Sequence, residues 1–197
     1  MREKRETPLR SDAQRNRERI LAVALEELTR SGDAPLSTIA KKAGVGQGTF
    51  YRHFPSREAL VLEVYRHEVR QVAEAAPRLL QAYRPERALR EWMDRLARYA
   101  MTKVGLADAM RAATTCHGTL KSVAQGPLTT AVTLLLEANE QAGTIRPGLT
   151  PDDFMLAIAG LWQIDPQQEW QQRADRLLDL VMDGMRAGAP GTRAQAE

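Results

Sequence analysis

Cysteine, aromatic residues and long apolar runs are scarce in this sequence of 197 residues. Its single cysteine, Cys116, cannot form a disulfide within the chain. The densest apolar run, residues 154–162, is about half as long as the roughly 18 residues that a membrane helix needs. The first ten residues carry charge but no apolar stretch that could serve as a signal peptide. We therefore expect a cytoplasmic protein without a membrane span.

Alternation of apolar and polar residues, the mark of a half-buried strand, is also missing. Aromatic residues make up only 5% of the chain, and Leu and Ala recur throughout it. This pattern predicts an all-α fold. The length is long for one minimal domain and short for two large ones, so we expect a small helical module joined to a larger one.

The excess of positive charge is confined to the first third of the chain. Residues 1–70 hold 14 Lys and Arg against 10 Asp and Glu, whereas residues 71–197 hold 14 against 15. An asymmetry of this kind favours a basic surface that meets an anionic partner, with nucleic acid as the leading candidate. On the count alone, ordinary solvated charge is the simpler explanation.

Apolar residues at three- and four-residue spacing predict four helices in the first 75 residues or so. These are a helix over about residues 12–31 behind Ser11 and Asp12, a short helix from Pro35 to before Gly44, a very short helix from Gly46 to about Phe54, and a long helix behind Ser56. The second and third helices are joined by a three-residue turn. This is the helix-turn-helix geometry, which presents the start of its second helix to the major groove of DNA.

Residues 43–54, AGVGQGTFYRHF, supply the chemistry of this module. Gly44 lets the chain leave the second helix with positive φ. Phe50 and Phe54 lie four residues apart and should pack inward, which leaves the polar side chains between them facing outward. Gln47 can offer a donor and an acceptor to a base edge, and Gly48 permits close approach to DNA. Other outward groups can donate to phosphate oxygens, namely those of Thr49, Tyr51, His53 and, from the next helix, Arg57.

The segment LSTIAKKAGVGQGTFYRHFPSREAL, residues 36–60, resembles the DNA-binding signature of the TetR family of transcriptional regulators. The resemblance extends over roughly residues 15–70. It implies that Ser37 and Gln47 lie where the family often touches bases, with Thr38 beside Ser37. The same resemblance implies a grip on phosphates by Thr49, Tyr51, His53 and Arg57. The sequence departs from the family pattern in the small Ser37, where a basic or polar side chain is usual, and in Arg57, where lysine is common.

Two other patterns fit less well. Gly44, Gly46 and Gly48 have the spacing G-x-G-x-G, but no strand precedes them, so a dinucleotide-binding loop does not fit. Cys116 beside His117 is the only pair that suggests a catalytic centre. Adjacent residues on a helix point about 100° apart and rarely form a dyad. We therefore expect no enzyme activity, no metal site and no cofactor.

The larger C-terminal region predicts longer helices, two of which close the chain, one over about residues 151–164 and one from Asp165 and Pro166 onward. The stretch FMLAIAGLW in the first is apolar nearly all round and needs cover on several sides, for which a subunit partner is the natural candidate. The region also carries bulky, adaptable apolar side chains with isolated polar tips, as expected of a cavity for a small organic ligand. The candidate ligand-binding residues are Trp92, Met93, Tyr99, Met110, His117 and Trp162.

These patterns and the resemblance to the TetR family together imply a DNA-binding transcriptional regulator, a ligand-responsive repressor that binds a near-palindromic operator as a homodimer through residues 151–187. The alternative is a helical small-molecule-binding protein of the same fold that does not act through DNA. The predicted division of the chain is a flexible arm at 1–10, a helix-turn-helix DNA-binding domain at 11–75, a ligand-sensing and dimerisation domain at 76–187 and a flexible tail at 188–197.

Overall fold

The computed structural model describes residues 8–106 and 117–193, and in these ranges the chain forms helices and no strand. The helices are α1 (Pro8–Arg30), α2 (Leu36–Lys42), α3 (Gln47–His53), α4 (Arg57–Ala82), α5 (Pro85–Gly105), α6 (His117–Gln141), α7 (Pro151–Ala157), a 3-10 helix (Ala159–Gln163), α8 (Trp170–Arg186) and α9 (Pro190–Arg193). The predicted all-α fold class is confirmed. No helix in the described ranges is both long and apolar enough to cross a membrane.

The chain clusters into two compact units, whose described parts are residues 8–67 with 105, 106 and 117, and residues 68–104 with 118–193. In the first unit, α1, α2, α3 and the start of α4 each contribute an apolar stripe to one core. The fully or almost fully buried side chains of this core include Ile20, Leu28, Ile39, Phe50, Phe54, Leu60 and Tyr65. Phe50 and Phe54 are both fully buried, so the inward face predicted for α3 is confirmed.

The first helix begins at Pro8, earlier than the predicted start near residue 12. Proline suits the first turn of a helix because its missing N–H would have no partner there. The proposed caps Ser11 and Asp12 consequently lie inside α1. At the other end, α9 falls within the segment predicted to be a tail.

In the second unit, α5 buries the stripe that its sequence predicts. Trp92, Met93 and Leu96 are fully buried, and the indole N–H of Trp92 donates to the carbonyl of Val72 at 2.8 Å. The Trp92 ring also lies 6.2 Å from that of Phe154 in α7. Because the polar tip of Trp92 has a backbone partner, the residue can be buried without the cost of an unsatisfied donor.

The single helix predicted over about residues 151–164 is wrong. A capping box starts α7, in which the Thr150 hydroxyl accepts from the Asp153 N–H at 3.1 Å, but the α-helix ends at Ala157 and a 3-10 helix follows. Gly160 lies in that 3-10 helix, and a Cβ there would meet Leu177 of α8 at 3.2 Å. The lack of a side chain at Gly160 weakens helix propensity and permits the close approach of α8.

The last long helix also begins later than predicted, at Trp170 instead of Pro166. The carboxylate of Asp165 accepts from the Gln167 N–H at 2.9 Å, and the Asp165 carbonyl accepts from the Gln168 N–H at 3.2 Å. These bonds stabilise a turn built around an aspartate side chain, which competes with helix for the same backbone groups. Asp165 and Pro166 therefore form a turn before α8.

Candidate nucleic-acid interface

A defined helix stop separates α2 from α3. Gly44 has φ of +65°, as its place in the sequence predicts. Its N–H donates to the carbonyl of Lys41 at 3.1 Å, and the Val45 N–H donates to that of Ala40 at 3.1 Å. This pair of bonds is the Schellman motif, which satisfies the last carbonyls of a helix and turns the chain sharply. The turn brings the start of α3 beside α2.

Helix α3 has one apolar face and one open face. The rings of Phe50 and Phe54 lie 5.9 Å apart on the buried face, and the Tyr51 ring meets the edge of Phe50 at 5.6 Å while remaining 46% exposed. Gln47 and Gly48 are exposed, whereas Thr49 and His53 are half-buried. The helix therefore presents an amide, a hydroxyl-bearing ring and a bare backbone position to its surroundings.

An open groove of about 490 Å³ lies between α2 and the start of α3. Its lining is Ser37, Thr38, Ala40, Lys41, Val45, Gly46 and Gln47. The groove thus brings together Ser37, Thr38 and Gln47, three of the residues that the sequence singles out. It also contains Lys41, which the sequence analysis missed as a site residue even though α2 ends in two exposed lysines. We call Ser37, Thr38, Lys41, Gln47, Gly48, Thr49, Tyr51 and His53 the α2–α3 surface.

The second lysine of α2 has a different role. The ammonium of Lys42 lies 2.7 Å from a carboxylate oxygen of Glu27 in α1, and Arg30 lies 2.6 Å from the same oxygen. Glu27 is nearly buried, and the hydrogen bond from Lys42 holds the pKa of its carboxyl below the ordinary value of 4.5. A buried carboxylate with two cationic partners fixes α2 against α1.

Contacts with α1 and α4 hold the end of α3 in place. Arg17 of α1 stacks its guanidinium over the Phe54 ring at 5.1 Å from the centroid and forms an ion pair with Glu63 of α4. On α3 itself, the Arg52 guanidinium donates to the Gly48 carbonyl at 3.1 Å, so it lies along its own helix. These contacts stabilise α3 between α1 and α4 and leave the α2–α3 surface open.

Arg57 has partners other than the predicted phosphate. Its guanidinium donates to three consecutive carbonyls of the turn between α1 and α2, those of Gly32, Asp33 and Ala34, at 3.2, 3.2 and 2.6 Å. The side chain is half-buried. Contact of Arg57 with DNA stays a prediction, and the structure adds an internal role that the sequence did not reveal.

The structure describes the side chains of four of the six residues predicted to bind a ligand. Trp92, Met93 and Tyr99 are buried in the second unit, and Trp162 is half-buried in the 3-10 helix. Met110 lies outside the described residues, as does Cys116, and of His117 only the backbone is described, as the first residue of α6. Binding of a ligand by these six residues stays a prediction.

Comparisons with known proteins cover both parts of the chain. Residues 20–64 match the family model described as bacterial regulatory proteins, tetR family, and residues 84–187 match the model of the C-terminal domain of SbtR-like transcriptional regulators. A curated relative, an uncharacterized HTH-type transcriptional regulator of Bacillus subtilis, is 48% identical over 46 residues. That match spans 22% of this chain and 24% of the relative, so it covers about a quarter of the curated protein's length.

Two solved structures match over nearly their whole length. A TetR transcriptional regulator of Streptomyces coelicolor is 41% identical, with a TM-score of 0.79, and the match covers 86% of this chain and 98% of the other. A TetR transcription regulatory protein of Mycobacterium vanbaalenii is 34% identical, with a TM-score of 0.73, and the match covers 91% and 99%. With both domain models matched and its helix-turn-helix in place, the chain belongs to the TetR family of transcriptional regulators.

Proposed function

We propose that this chain is a ligand-responsive repressor that acts in the cytoplasm and binds a near-palindromic DNA operator as a homodimer. The observation that carries the proposal is the α2–α3 surface, where an exposed amide, hydroxyls and an exposed lysine surround an open groove. Phe50 and Phe54 are fully buried, whereas Lys41 and Gln47 are exposed, so these two polar side chains are open to a partner. The proposal needs no catalytic residue, metal or cofactor.

In the proposed complex, α3 enters the major groove and α2 crosses the backbone, as in other helix-turn-helix proteins. Gln47 reads a base edge with its amide, and Ser37 lies within reach across the groove. Gly48 lets the α3 backbone approach the bases closely because no Cβ stands there. Thr49, Tyr51 and His53 donate to phosphate oxygens, which fixes register without specifying sequence, and Thr38 lies beside Ser37 on α2. Arg57 adds positive charge beside them.

The proposed homodimer uses residues 151–187. Leu156 of α7 and Leu180 of α8 are 75% and 70% exposed, and Val181 is half-buried. Large aliphatic side chains exposed on two consecutive helices are typical of a surface covered by another subunit. A two-fold contact would place two copies of the α2–α3 surface on one DNA, which explains why the operator should be near-palindromic.

The proposed response to a ligand follows from spacing. Two copies of α3 must match successive major grooves, whose centres lie about 34 Å or a multiple of it apart. Helix α4 begins in the first unit and continues into the second, so its tilt would set that distance. A small organic effector among Trp92, Met93, Tyr99, Met110, His117 and Trp162 would lower DNA affinity by favouring the mismatched spacing.

Selection of fragments from the protein's own genome by the purified full-length chain tests the proposal. We expect enriched fragments to share a dyad whose half-sites are about one helical turn or a multiple of it apart, with an affinity that falls steeply as salt rises. Addition of an effector should reduce the recovery of the same fragments. Recovery of no common sequence, or binding that does not change with salt, would contradict the proposal.

A further inference from the structure

Arg57 joins two parts of the helix-turn-helix unit that are far apart in sequence. It is the first residue of α4, and its three carbonyl partners, residues 32–34, lie between the end of α1 at Arg30 and the start of α2 at Leu36. The shortest of the three contacts, 2.6 Å to the Ala34 carbonyl, is in the range of charge-assisted hydrogen bonds. The side chain therefore links pieces of backbone that are 23 to 25 positions apart in the sequence.

The base of the Arg57 side chain is itself fixed. The Ser56 hydroxyl accepts from the Ala59 N–H at 3.2 Å, and the Ser56 carbonyl accepts from the Leu60 N–H at 3.1 Å, so the first turn of α4 is capped. At the other end, the turn holds its shape through the Ala34 N–H, which donates to the Ser31 carbonyl at 3.0 Å. The guanidinium thus connects two locally ordered pieces of backbone.

The shape of a guanidinium suits this arrangement. Arginine carries five N–H donors in one plane, and its two terminal nitrogens reach three carbonyls here. Lysine keeps the positive charge but has one nitrogen, which cannot occupy both positions at once. The three contacts therefore depend on the shape of arginine more than on its charge.

We propose that Arg57 is a positioning residue for DNA recognition: its guanidinium fixes the 31–35 turn to the first turn of α4 and so sets the orientation of α2 and its groove residues. The inference rests on the proposed DNA-binding function. If the turn loosens, a smaller fraction of molecules has the groove in the competent arrangement, and apparent affinity falls by that fraction.

The substitution Arg57→Lys separates this role from a phosphate contact. Lysine binds phosphate well as a point charge, so a phosphate contact predicts near-normal operator affinity for Arg57→Lys. The positioning role predicts a loss of about tenfold, close to that of Arg57→Gln, because one or more charge-assisted bonds are lost. It also predicts that Arg57→Lys keeps wild-type affinity for non-specific DNA and an unchanged salt slope, since both depend on charge.

The experiment uses the full-length chain and an operator fragment obtained by genomic selection. Operator affinity, non-specific affinity and amide hydrogen exchange at residues 31–36 are measured for the wild type, Arg57→Lys and Arg57→Gln. Arg78→Lys is the matched control, because Arg78 is an exposed arginine of the same helix that forms an ion pair with Glu74. We expect faster exchange at residues 31–36 in both Arg57 variants and wild-type behaviour in the control.

Wild-type operator affinity in Arg57→Lys would overturn the inference, as would unchanged exchange at residues 31–36. An equal loss of specific and non-specific affinity in Arg57→Lys would also overturn it, because it indicates that the guanidinium contacts the DNA backbone directly. If the wild type itself selects no DNA, the proposed function fails, and the exchange measurement still decides whether Arg57 holds the turn.

Discussion

At the scale of single residues, the helix-turn-helix keeps two phenylalanine rings in its core and leaves a glutamine amide exposed. The spacing alone predicts Phe50 and Phe54 inside and Gln47 outside, and burial agrees. Arg57 shows what spacing cannot predict. Its carbonyl partners precede it by 23 to 25 positions, and no periodicity reveals a hydrogen bond between a side chain and a distant turn.

Likewise, Lys41 and Lys42 look alike in sequence, yet it is Lys42 that forms an ion pair with a carboxylate of α1.

Tyr51 gives the first residue-scale prediction. Its ring is held edge-on by Phe50 and its side chain is 46% exposed, so Tyr51→Phe should keep the fold and remove only the hydroxyl. We expect operator affinity to fall about five- to tenfold, the equivalent of one hydrogen bond of roughly 1 kcal/mol. Titration of a labelled operator fragment measures this loss. Tyr83→Phe, at a second exposed tyrosine directly after α4, should bind normally, and an equal effect in both variants would contradict a contact by Tyr51.

Two glycines of the helix-turn-helix, Gly44 and Gly48, give opposite predictions for stability. A Cβ added at either position would have no atom within 4 Å, so only backbone conformation matters. Gly44→Ala forces an L-residue to φ of +65° and should lower the free energy of unfolding by about 1–2 kcal/mol. Position 48 lies in α3, and alanine is favoured over glycine in a helix. Gly48→Ala should therefore raise the free energy of unfolding by about 0.5–1 kcal/mol.

The two variants should also differ in DNA binding. A Cβ at position 48 stands on the exposed side of α3, where the proposed complex needs close approach, so Gly48→Ala should bind the operator more weakly although it is more stable. Denaturant unfolding and operator titration on the same preparations measure both properties. Unimpaired binding by Gly48→Ala would argue against close approach at that position.

At the scale of elements, local signals locate the short helices well and the helix ends less well. The α2–α3 turn is predictable because Gly44 carries its own conformational signal. The break in the region 151–164 is not, because it depends on the fit of Gly160 against Leu177 of the following helix. The turn at Asp165 also depends on a side chain that competes for backbone groups.

The clamp between α1 and α2, formed by Glu27, Lys42 and Arg30, predicts a pH dependence. The pKa of the Glu27 carboxyl is lowered in the folded chain, first by the hydrogen bond from Lys42. Its stabilising contribution is therefore present above the ordinary pKa of 4.5 and is lost as pH falls through the folded pKa. We expect the wild type to exceed Glu27→Gln in stability near neutral pH and the difference to shrink on acidification.

Urea unfolding midpoints of both proteins between about pH 3 and pH 7 measure this difference. Glu26→Gln is the matched control, because Glu26 pairs with Arg30 on the same helix but is mostly exposed. The control should show a much smaller difference. A gap between wild type and Glu27→Gln that stays constant with pH would show that the carboxylate charge of Glu27 does not stabilise the clamp.

At the scale of the whole molecule, the sequence indicates a small helical module joined to a larger one. The charge asymmetry assigns the basic excess to the part that contains the helix-turn-helix. Cover of the apolar stretch 154–162 by another subunit stays a prediction, and Leu156 within this stretch is 75% exposed. Composition does not separate a ligand-binding cavity from the core, because the predicted residues Trp92 and Met93 are also ordinary core residues.

The proposed homodimer gives the prediction at this scale. Leu180→Glu places two charges in a two-fold contact and removes two buried leucines, so the dimer dissociation constant should rise at least about 100-fold. Sedimentation equilibrium measures the change, and operator affinity should fall with it. Leu134→Glu, at a leucine of α6 that is 39% exposed and outside residues 151–187, is the control. An unaltered dimer dissociation constant in Leu180→Glu would contradict a dimer contact that includes Leu180.

Amide hydrogen exchange of the full-length chain, measured with and without a selected operator fragment, shows whether the α2–α3 surface binds DNA. We expect DNA to slow exchange in residues 36–54, with the strongest protection at the start of α3 around Gln47 and Gly48. Unchanged exchange in residues 36–54, with protection in another part of the chain, would contradict DNA binding by the α2–α3 surface.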